Sequence, residues 1–283
     1  MLRYKEIFLG GPCNNSCLHC SPEHKNSPQT DLASIITAVN QKEEDNIALF
    51  GGEPAMRSDI LTIIQAAVAD GYRRIKLITN GRAFSDVRYL HRVLNEGCSL
   101  FEIKLWGPNP SVHDYLTQAQ GSFWETIQGL ENLTGLSQEK FVCVRIPVCK
   151  ENFSSLENTL STALTFGINR IILSMQDYSL PLRSVMPHIA NAINISIFNR
   201  VWIMTEGIPF CIMQGIEQHV GELLSGLTGI YERTFQHHKH CVGCVFKDFC
   251  PGTEERYLSQ FGDREFASVT AYPYLQDMKA LYA

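Results

Sequence analysis

Two hydrophobic rhythms alternate along the chain. Short apolar runs bounded by turn residues predict buried strands over 6–9, 47–50, 74–78, 100–106, 141–148 and 168–174. Between them apolar residues recur every three or four positions, over 31–40, 60–69, 87–95, 123–133, 156–166 and 185–197. That period predicts helices with one buried face. Six strand-then-helix units imply parallel strands joined by right-handed crossovers. The pattern alone leaves an open doubly wound sheet and a partial barrel both available.

Two strands carry an informative alternation. Val142, Val144, Ile146 and Val148 share one face, opposite Cys143, Arg145 and Cys149. Phe101, Ile103 and Leu105 share a face opposite Glu102, Lys104 and Trp106. Strands covered on both sides usually read as continuous apolar runs. Charges on one face therefore predict a wet interior holding a charged ligand. The alternative is that Lys104 and Glu102 pair with each other. Functional groups in parallel-strand folds gather at the C-terminal ends of the strands. Gly51-Gly52-Glu53-Pro54 and Thr79-Asn80-Gly81 lie at two such ends.

Composition changes the picture mainly by exclusion. The 283 residues are 45% hydrophobic and 19% charged, with a net charge of −5. No basic stripe suits a nucleic-acid partner. No apolar run approaches the ~18 residues of a membrane span, and the N-terminal stretch lacks a cleavage site. Ten cysteines without a secretory signal point to metal ligation in a cytoplasmic protein rather than to disulfides.

The cysteines fall into two sets. Cys13, Cys17 and Cys20 follow the first strand at C-x3-C-x2-C spacing. Thiolates select zinc, copper(I) or iron–sulfur clusters. A closed zinc site wants four ligands; Cys98 is distant, and His19 would crowd its neighbours. Three thiols on a cubane [4Fe–4S] cluster leave one iron open for chemistry. The second set is Cys241, Cys244 and Cys250 at C-x2-C-x5-C, with Cys211 upstream as a fourth thiol. Four thiols suit either a cluster or structural zinc. Nearby His237, His238 and His240 are solvated or replace a thiol.

The first loop, with Gly51-Gly52-Glu53-Pro54 after it, resembles the signature of the radical SAM superfamily across about the first 180 residues. The resemblance implies an α/β partial (β/α)6 TIM barrel, placed here in residues 1–199. It implies a [4Fe–4S] cluster on Cys13, Cys17 and Cys20 whose open iron chelates S-adenosyl-L-methionine, and cleavage to a 5′-deoxyadenosyl radical. His19 stands where a residue packs near the adenine. Gly51, Gly52, Glu53 and Pro54 match the turn that binds the cofactor's amino group. Asn80 belongs to a matching third-strand end, and Lys104 stands where relatives often carry a Ser. Arg145 is the candidate for the cofactor carboxylate, and Ser174 and Gln176 for ribose or adenine. Cys143 and Cys149 are candidate hydrogen-atom donors, and Cys98 reads as a small buried hydrophobe. His113 and Asp114 match a pair found in relatives with extra clusters; helix capping is the other role open to them.

Residues 200–283 resemble the small SPASM or twitch extension that holds auxiliary clusters, and the cysteine count allows one auxiliary [4Fe–4S] cluster. Relatives with such tails mostly modify ribosomally made peptides by cross-linking, epimerisation or backbone excision, which makes a precursor peptide the expected substrate. Dehydrogenation or rearrangement of a small molecule is the alternative, and a non-enzymatic iron–sulfur or zinc scaffold the reading from another class. A molybdopterin-type enzyme fits less well, because its tail spacing is C-x2-C-x13-C. The first strand begins close to Met1, so a separate small leader-binding protein is expected to present the peptide. A flavodoxin or ferredoxin is the expected electron donor. An amphipathic segment is expected over 274–282.

Overall fold

The computed structural model describes residues 3–21, 24–25, 27–222 and 235–274. Strands β1 (Lys5–Phe8), β2 (Asn46–Phe50), β3 (Arg74–Thr79), β4 (Leu100–Lys104), β5 (Phe141–Val148), β6 (Arg170–Met175) and β7 (Trp202–Glu206) form one sheet in sequence order. Pairing is parallel from β1 to β5, with Ile7 opposite Leu49, Leu49 opposite Leu77, Leu77 opposite Phe101 and Phe101 opposite Val142. A doubly wound sheet reverses its strand order at a switch point. This order never reverses, so the chain has the α/β fold of a partial barrel. It carries a seventh strand, β7, beyond the six units that the hydrophobic pattern predicts.

Residue contacts divide the chain into two compact units, 3–146 with 158–170, and 147–157 with 171–274. The first contains helices α1 (Leu32–Asn40), α2 (Ile60–Ala69), α3 (Val87–Asn95), α4 (Pro110–Thr117) and α5 (Ser122–Gly135). The side chain of Asp31 caps α1 by accepting from Ser34 N at 2.9 Å, and Asp86 does the same for α3 from Arg88 N at 2.9 Å. Such caps satisfy amides that a helix start leaves without partners. The strand faces opposite Glu102 and Arg145 are apolar and fully covered, with Ile47, Leu49, Leu77 and Ile103 at 0% exposure.

Helix α4 is absent from the hydrophobic pattern, although its start is marked by Asn109 as cap and Pro110 in the first turn. It turns into α5 at a corner built on Asp114. That carboxylate accepts from Gly121 N (2.7 Å), Phe123 N (2.7 Å) and Ser122 Oγ (2.9 Å). His113 is buried with Nδ1 3.3 Å from Trp106 N. Burial pushes its imidazole down to about 4, so it is neutral at neutral pH. The pair thus has the capping and packing role.

The second unit holds α7 (Leu182–Phe198), β7, an antiparallel pair of β8 (Phe235–Gln236) and β9 (Thr253–Glu254), and α8 (Glu255–Phe261). Helix α6 (Leu156–Thr165) crosses the division. Tyr257 on α8 is fully buried and accepts from Leu182 N at 2.8 Å, which ties α8 to the start of α7. Residues 275–282 of the expected amphipathic segment lie outside the described residues. Among the described residues no helix is long and apolar enough to cross a membrane.

The charged face of β4 and β5 carries an ion pair that neither expectation named. Glu102 is buried and accepts from Arg145 Nε at 2.5 Å and Lys76 Nζ at 3.3 Å, while Lys104 remains exposed. Burial pushes the Glu102 carboxyl up, but Arg145 and Lys76 outweigh it and hold it at about 2. Removing one member leaves buried charge uncompensated, so Glu102→Ala is expected to lose about 3–5 kcal/mol in urea unfolding at neutral pH. With the folded value depressed, the carboxylate's stabilisation is complete above the unfolded value of about 4.3 and is lost as pH falls towards about 2. The stability difference between Glu102→Ala and the unmodified protein should therefore shrink between those limits. An equal difference at both ends would argue against the ion pair.

Candidate metal and cofactor site

The cysteine loop leaves β1 and is held by its base. Leu9 N donates to Phe50 O at 2.7 Å, extending the β1–β2 pairing by one residue. The buried Arg57 donates through Nη1 to Leu9 O (2.9 Å) and Thr30 O (3.1 Å), and pairs with Asp59 at 2.8 Å. One side chain thus closes both ends of the loop. Further along, Ser16 N donates to Thr117 O and Leu18 N to Leu116 O, both at 2.9 Å, which staples the loop to the end of α4.

The Gly51-Gly52-Glu53-Pro54 turn runs directly beneath. Gly52 has φ +58°, and a Cβ there would lie 2.6 Å from both Gly10 O and Gly11 O. Only a residue without a side chain lets the two backbones pass. Glu53 N then donates to Pro12 O at 3.0 Å. The Glu53 carboxylate is 2% exposed and accepts from Ala55 N (3.0 Å), Thr79 Oγ1 (2.5 Å) and Asn80 N (2.8 Å). It therefore clamps the end of β2 to the end of β3. Burial pushes it up, against those three hydrogen bonds and Lys104.

Around Cys13 the donors point inward. Asn15 N lies 3.4 Å from Cys13 Sγ, and Asn80 Nδ2 lies 3.9 Å from it while donating to Asn14 Oδ1 at 2.7 Å. Burial pushes the Cys17 thiol up to about 11, against the charge of Lys104, and the Cys13 and Cys20 sulfurs add to the rise. Three thiols that raise one another's proton affinity, N–H groups aimed at one sulfur and the Lys104 cation form a soft donor set. It fits a three-thiolate cluster, whose sulfurs are tuned by hydrogen bonds and nearby charge. Thiols raised this way lose their protons on metal binding rather than before it. The His19 ring lies 6.3 Å from that of Trp106, nearly parallel, which places a flat surface beside the loop.

The first unit thus brings together Cys13, Cys17, Cys20, Glu53, Asn80 and Lys104. Arg145 is in the same unit with Nε engaged by Glu102, and Cys143 sits opposite Glu102 in the β4–β5 register. In the second unit Gln176 Nε2 donates to Ser174 Oγ at 3.0 Å. Cys149 N donates to Asn152 Oδ1 at 2.9 Å, and burial pushes the Cys149 thiol well above its usual range. A neutral thiol is the form that carries a transferable hydrogen atom. Cys98 is fully buried, with Sγ 3.5 Å from Ile75 O, as a small core residue.

The second cysteine set closes on one cavity. Cys211, Cys241, Cys244 and Cys250 line it together with His237, His238 and His240. Burial pushes Cys250 up to about 12, and the Cys211 and Cys241 sulfurs add to this. Gly252 N lies 3.5 Å from Cys250 Sγ, and the His237 ring is 3.1 Å from Cys250 O. Phe210 and Phe246 stack at 4.3 Å beside the thiols. Four sulfurs in one cavity fit a four-thiolate metal centre. His237 and His240 are engaged by Cys250 O and by Asp263, the latter at 3.4 Å.

Two residues at the first site carry no chemical signature in the sequence. Arg82 and Asn15 contact each other at 2.7 Å, between Arg82 Nη1 and Asn15 Oδ1. The asparagine pair directly after Cys13 was the available signal.

The model of the Radical SAM superfamily matches residues 7–163. The chain is 29% identical over 153 residues to molybdenum cofactor biosynthesis protein 1 of Bos taurus, covering 50% of this chain and 24% of that protein. It is 26% identical over 139 residues to GTP 3′,8-cyclase of Peptoclostridium acidaminophilum, covering 46% and 42%. It is 26% identical over 162 residues to mycofactocin maturase MftC of Mycolicibacterium smegmatis, covering 55% and 40%. The chain spans less than half the length of each. Among solved structures, anSMEcpe with bound AdoMet and Cp18Cys peptide superposes with a TM-score of 0.64 at 13% identity, covering 99% of this chain and 96% of that one. Streptococcus suis SuiB bound to its precursor peptide SuiA gives 0.56 at 12% identity, covering 71% and 47%. At these identities the likeness is one of fold.

The close backbone crossing gives a direct test. Gly52→Ala should strain a left-handed residue and push the turn from the cysteine loop, costing about 1–3 kcal/mol. Urea unfolding measures the cost; a neutral effect would mean that the crossing is looser than 2.6 Å implies.

Proposed function

The chain belongs to the radical SAM superfamily, and from that premise we propose that Cys13, Cys17 and Cys20 hold a [4Fe–4S] cluster and that S-adenosyl-L-methionine binds beside it. The observation that carries this is the convergence of three thiols, two N–H groups on the Cys13 sulfur and the Gly51–Pro54 turn. Reduced by one electron, the bound cofactor supplies a 5′-deoxyadenosyl radical. The chain's own part is to bind and orient. The backbone of Gly51 and Gly52 offers acceptors for the cofactor's amino group, since the Glu53 carboxylate already serves three protein donors. Lys104 and Arg145 supply positive charge for its carboxylate, with Arg145 held in place by Glu102. His19, beside Trp106, offers a surface for the adenine. Ser174 and Gln176 are assigned to the ribose or adenine, and Cys143 or Cys149 to hydrogen-atom donation.

In this reading residues 1–199 form the catalytic barrel and 200–283 the auxiliary module. Cys211, Cys241, Cys244 and Cys250 hold one auxiliary [4Fe–4S] cluster that relays an electron; four thiolates leave it closed. The substrate is a ribosomally made precursor peptide, presented by a separate small leader-binding protein, with a flavodoxin or ferredoxin as electron donor. The fold match to anSMEcpe over nearly the whole chain and the identity to MftC support the peptide. A second reading, rearrangement of a small nucleotide, is favoured by the identity to a GTP 3′,8-cyclase.

The reduced, iron-loaded protein with S-adenosyl-L-methionine should release 5′-deoxyadenosine. Replacing Cys13, Cys17 and Cys20 together with Ala should abolish this and remove about half the iron, as expected for one of two cubanes. A triple variant that kept all its iron would overturn the ligand assignment. Replacing Cys241 and Cys244 with Ala should reduce product formation more than 5′-deoxyadenosine release. A labelled precursor should bind weakly to this chain alone and more tightly with the leader-binding protein. Turnover of GTP with no effect of any peptide would decide for the second reading.

A further inference from the structure

The Asn80-Gly81-Arg82 segment does more than end β3. Arg82 has a side chain only 11% exposed, in a position where a solvated charge would be ordinary. Its Nη1 donates to Asn14 O and to Asn15 Oδ1, the latter at 2.7 Å, and its Nε donates to Glu125 Oε2 at 2.6 Å. Its backbone N donates to Asn80 Oδ1 at 3.0 Å. That last bond fixes which way the Asn80 amide points, so that Nδ2 faces Asn14 and the Cys13 sulfur. The side chain meanwhile fixes Asn15, whose own N–H lies 3.4 Å from the same sulfur. Both groups aimed at Cys13 are therefore oriented by one residue. Behind it, Thr126 Oγ1 donates to Asn80 O at 3.0 Å, so α5 supports the segment as well as supplying Glu125.

We propose that the Arg82 side chain is a positioning group for the Cys13 sulfur: anchored on Glu125, it holds Asn14 and Asn15 so that the Asn15 N–H stays on that ligand, beside the Asn80 amide that the residue-82 backbone orients. The proposal rests on the reading that Cys13, Cys17 and Cys20 hold a cluster. It gives Arg82 two separable effects. Its geometry keeps the loop closed on the metal. Its charge, partly cancelled by Glu125, favours the reduced and more negative cluster.

The test uses the full chain, reconstituted with iron and sulfide and reduced with dithionite. The first cluster is identified as the one whose EPR signal S-adenosyl-L-methionine alters. Arg82→Gln should move its midpoint potential to more negative values, and release iron to a chelator about tenfold faster or more, the usual scale for losing an outer partner of a metal ligand. Glu125→Gln should move the potential the opposite way, because it exposes the guanidinium's charge. Arg82→Lys should keep the potential and still lose iron faster, since an ammonium cannot span the same acceptors. A general loosening of the fold would shift Arg82→Gln and Glu125→Gln in the same direction, and that result would overturn the proposal. So would unmodified potential and iron release in both Arg82 variants. If Arg82→Gln does not fold, Glu125→Gln and Arg82→Lys decide by the same signs. Absence of any signal that S-adenosyl-L-methionine alters in the unmodified protein would instead count against the cluster assignment itself.

Discussion

Glu53 is a buried carboxylate whose oxygens meet donors from its own turn, from Thr79 and from Asn80. A charge in that position, left without donors, would be costly to bury. Its partners therefore fix it, and it fixes them. The ends of β2 and β3 are locked side by side, and Asn80 is delivered to the cysteine loop. Gly51 and Gly52 are brought beneath Gly10 and Gly11 at a distance that excludes any side chain. The first site is thus organised around the protein's own acid before any ligand arrives.

Much of the barrel was legible because its signals are local. Strand and helix periods located six units, and the α2, α3 and β5 boundaries read from sequence coincide with the observed ones. The thiol spacings marked out both cysteine sets; the glycine turn was legible as a turn, but not its crossing over Gly10 and Gly11. What stayed hidden depends on register. Glu102 pairs with Lys76 and Arg145 from neighbouring strands, and nothing local to β4 says which basic residue will lie alongside. Helix α4 has few apolar positions, so its cap outweighs its weak periodicity. Arg82 follows an ordinary Asn-Gly turn, and its importance comes from Asn14, Asn15 and Glu125, all distant in sequence.

The two thiol sets are supported in different ways. The second gathers three thiols from a ten-residue segment, 241–250, with Cys211 joining from further upstream. Its neighbours are mostly close in sequence: Gly252 on Cys250, His237 on Cys250 O, Lys239 on Asp263 at 2.7 Å. The first is short in sequence but held from afar, by Arg57, Asn80, Arg82 and the end of α4. Local spacing there brings the thiols together, and long-range contacts hold the loop that carries them.

That dependence has a consequence for how the protein is made. Cys13, Cys17 and Cys20 leave the ribosome roughly a hundred residues ahead of Thr117, Glu125 and Thr126, which belong to their cradle. At synthesis rates of about 5–20 residues per second, the thiols wait about 5–20 s for the segment that closes around them. During that interval they are unprotected nucleophiles on a nascent chain. Closure of the loop around those thiols is therefore a late event that follows folding of the first half of the molecule. Until α5 has emerged, those three sulfurs stand without the contacts that later surround them.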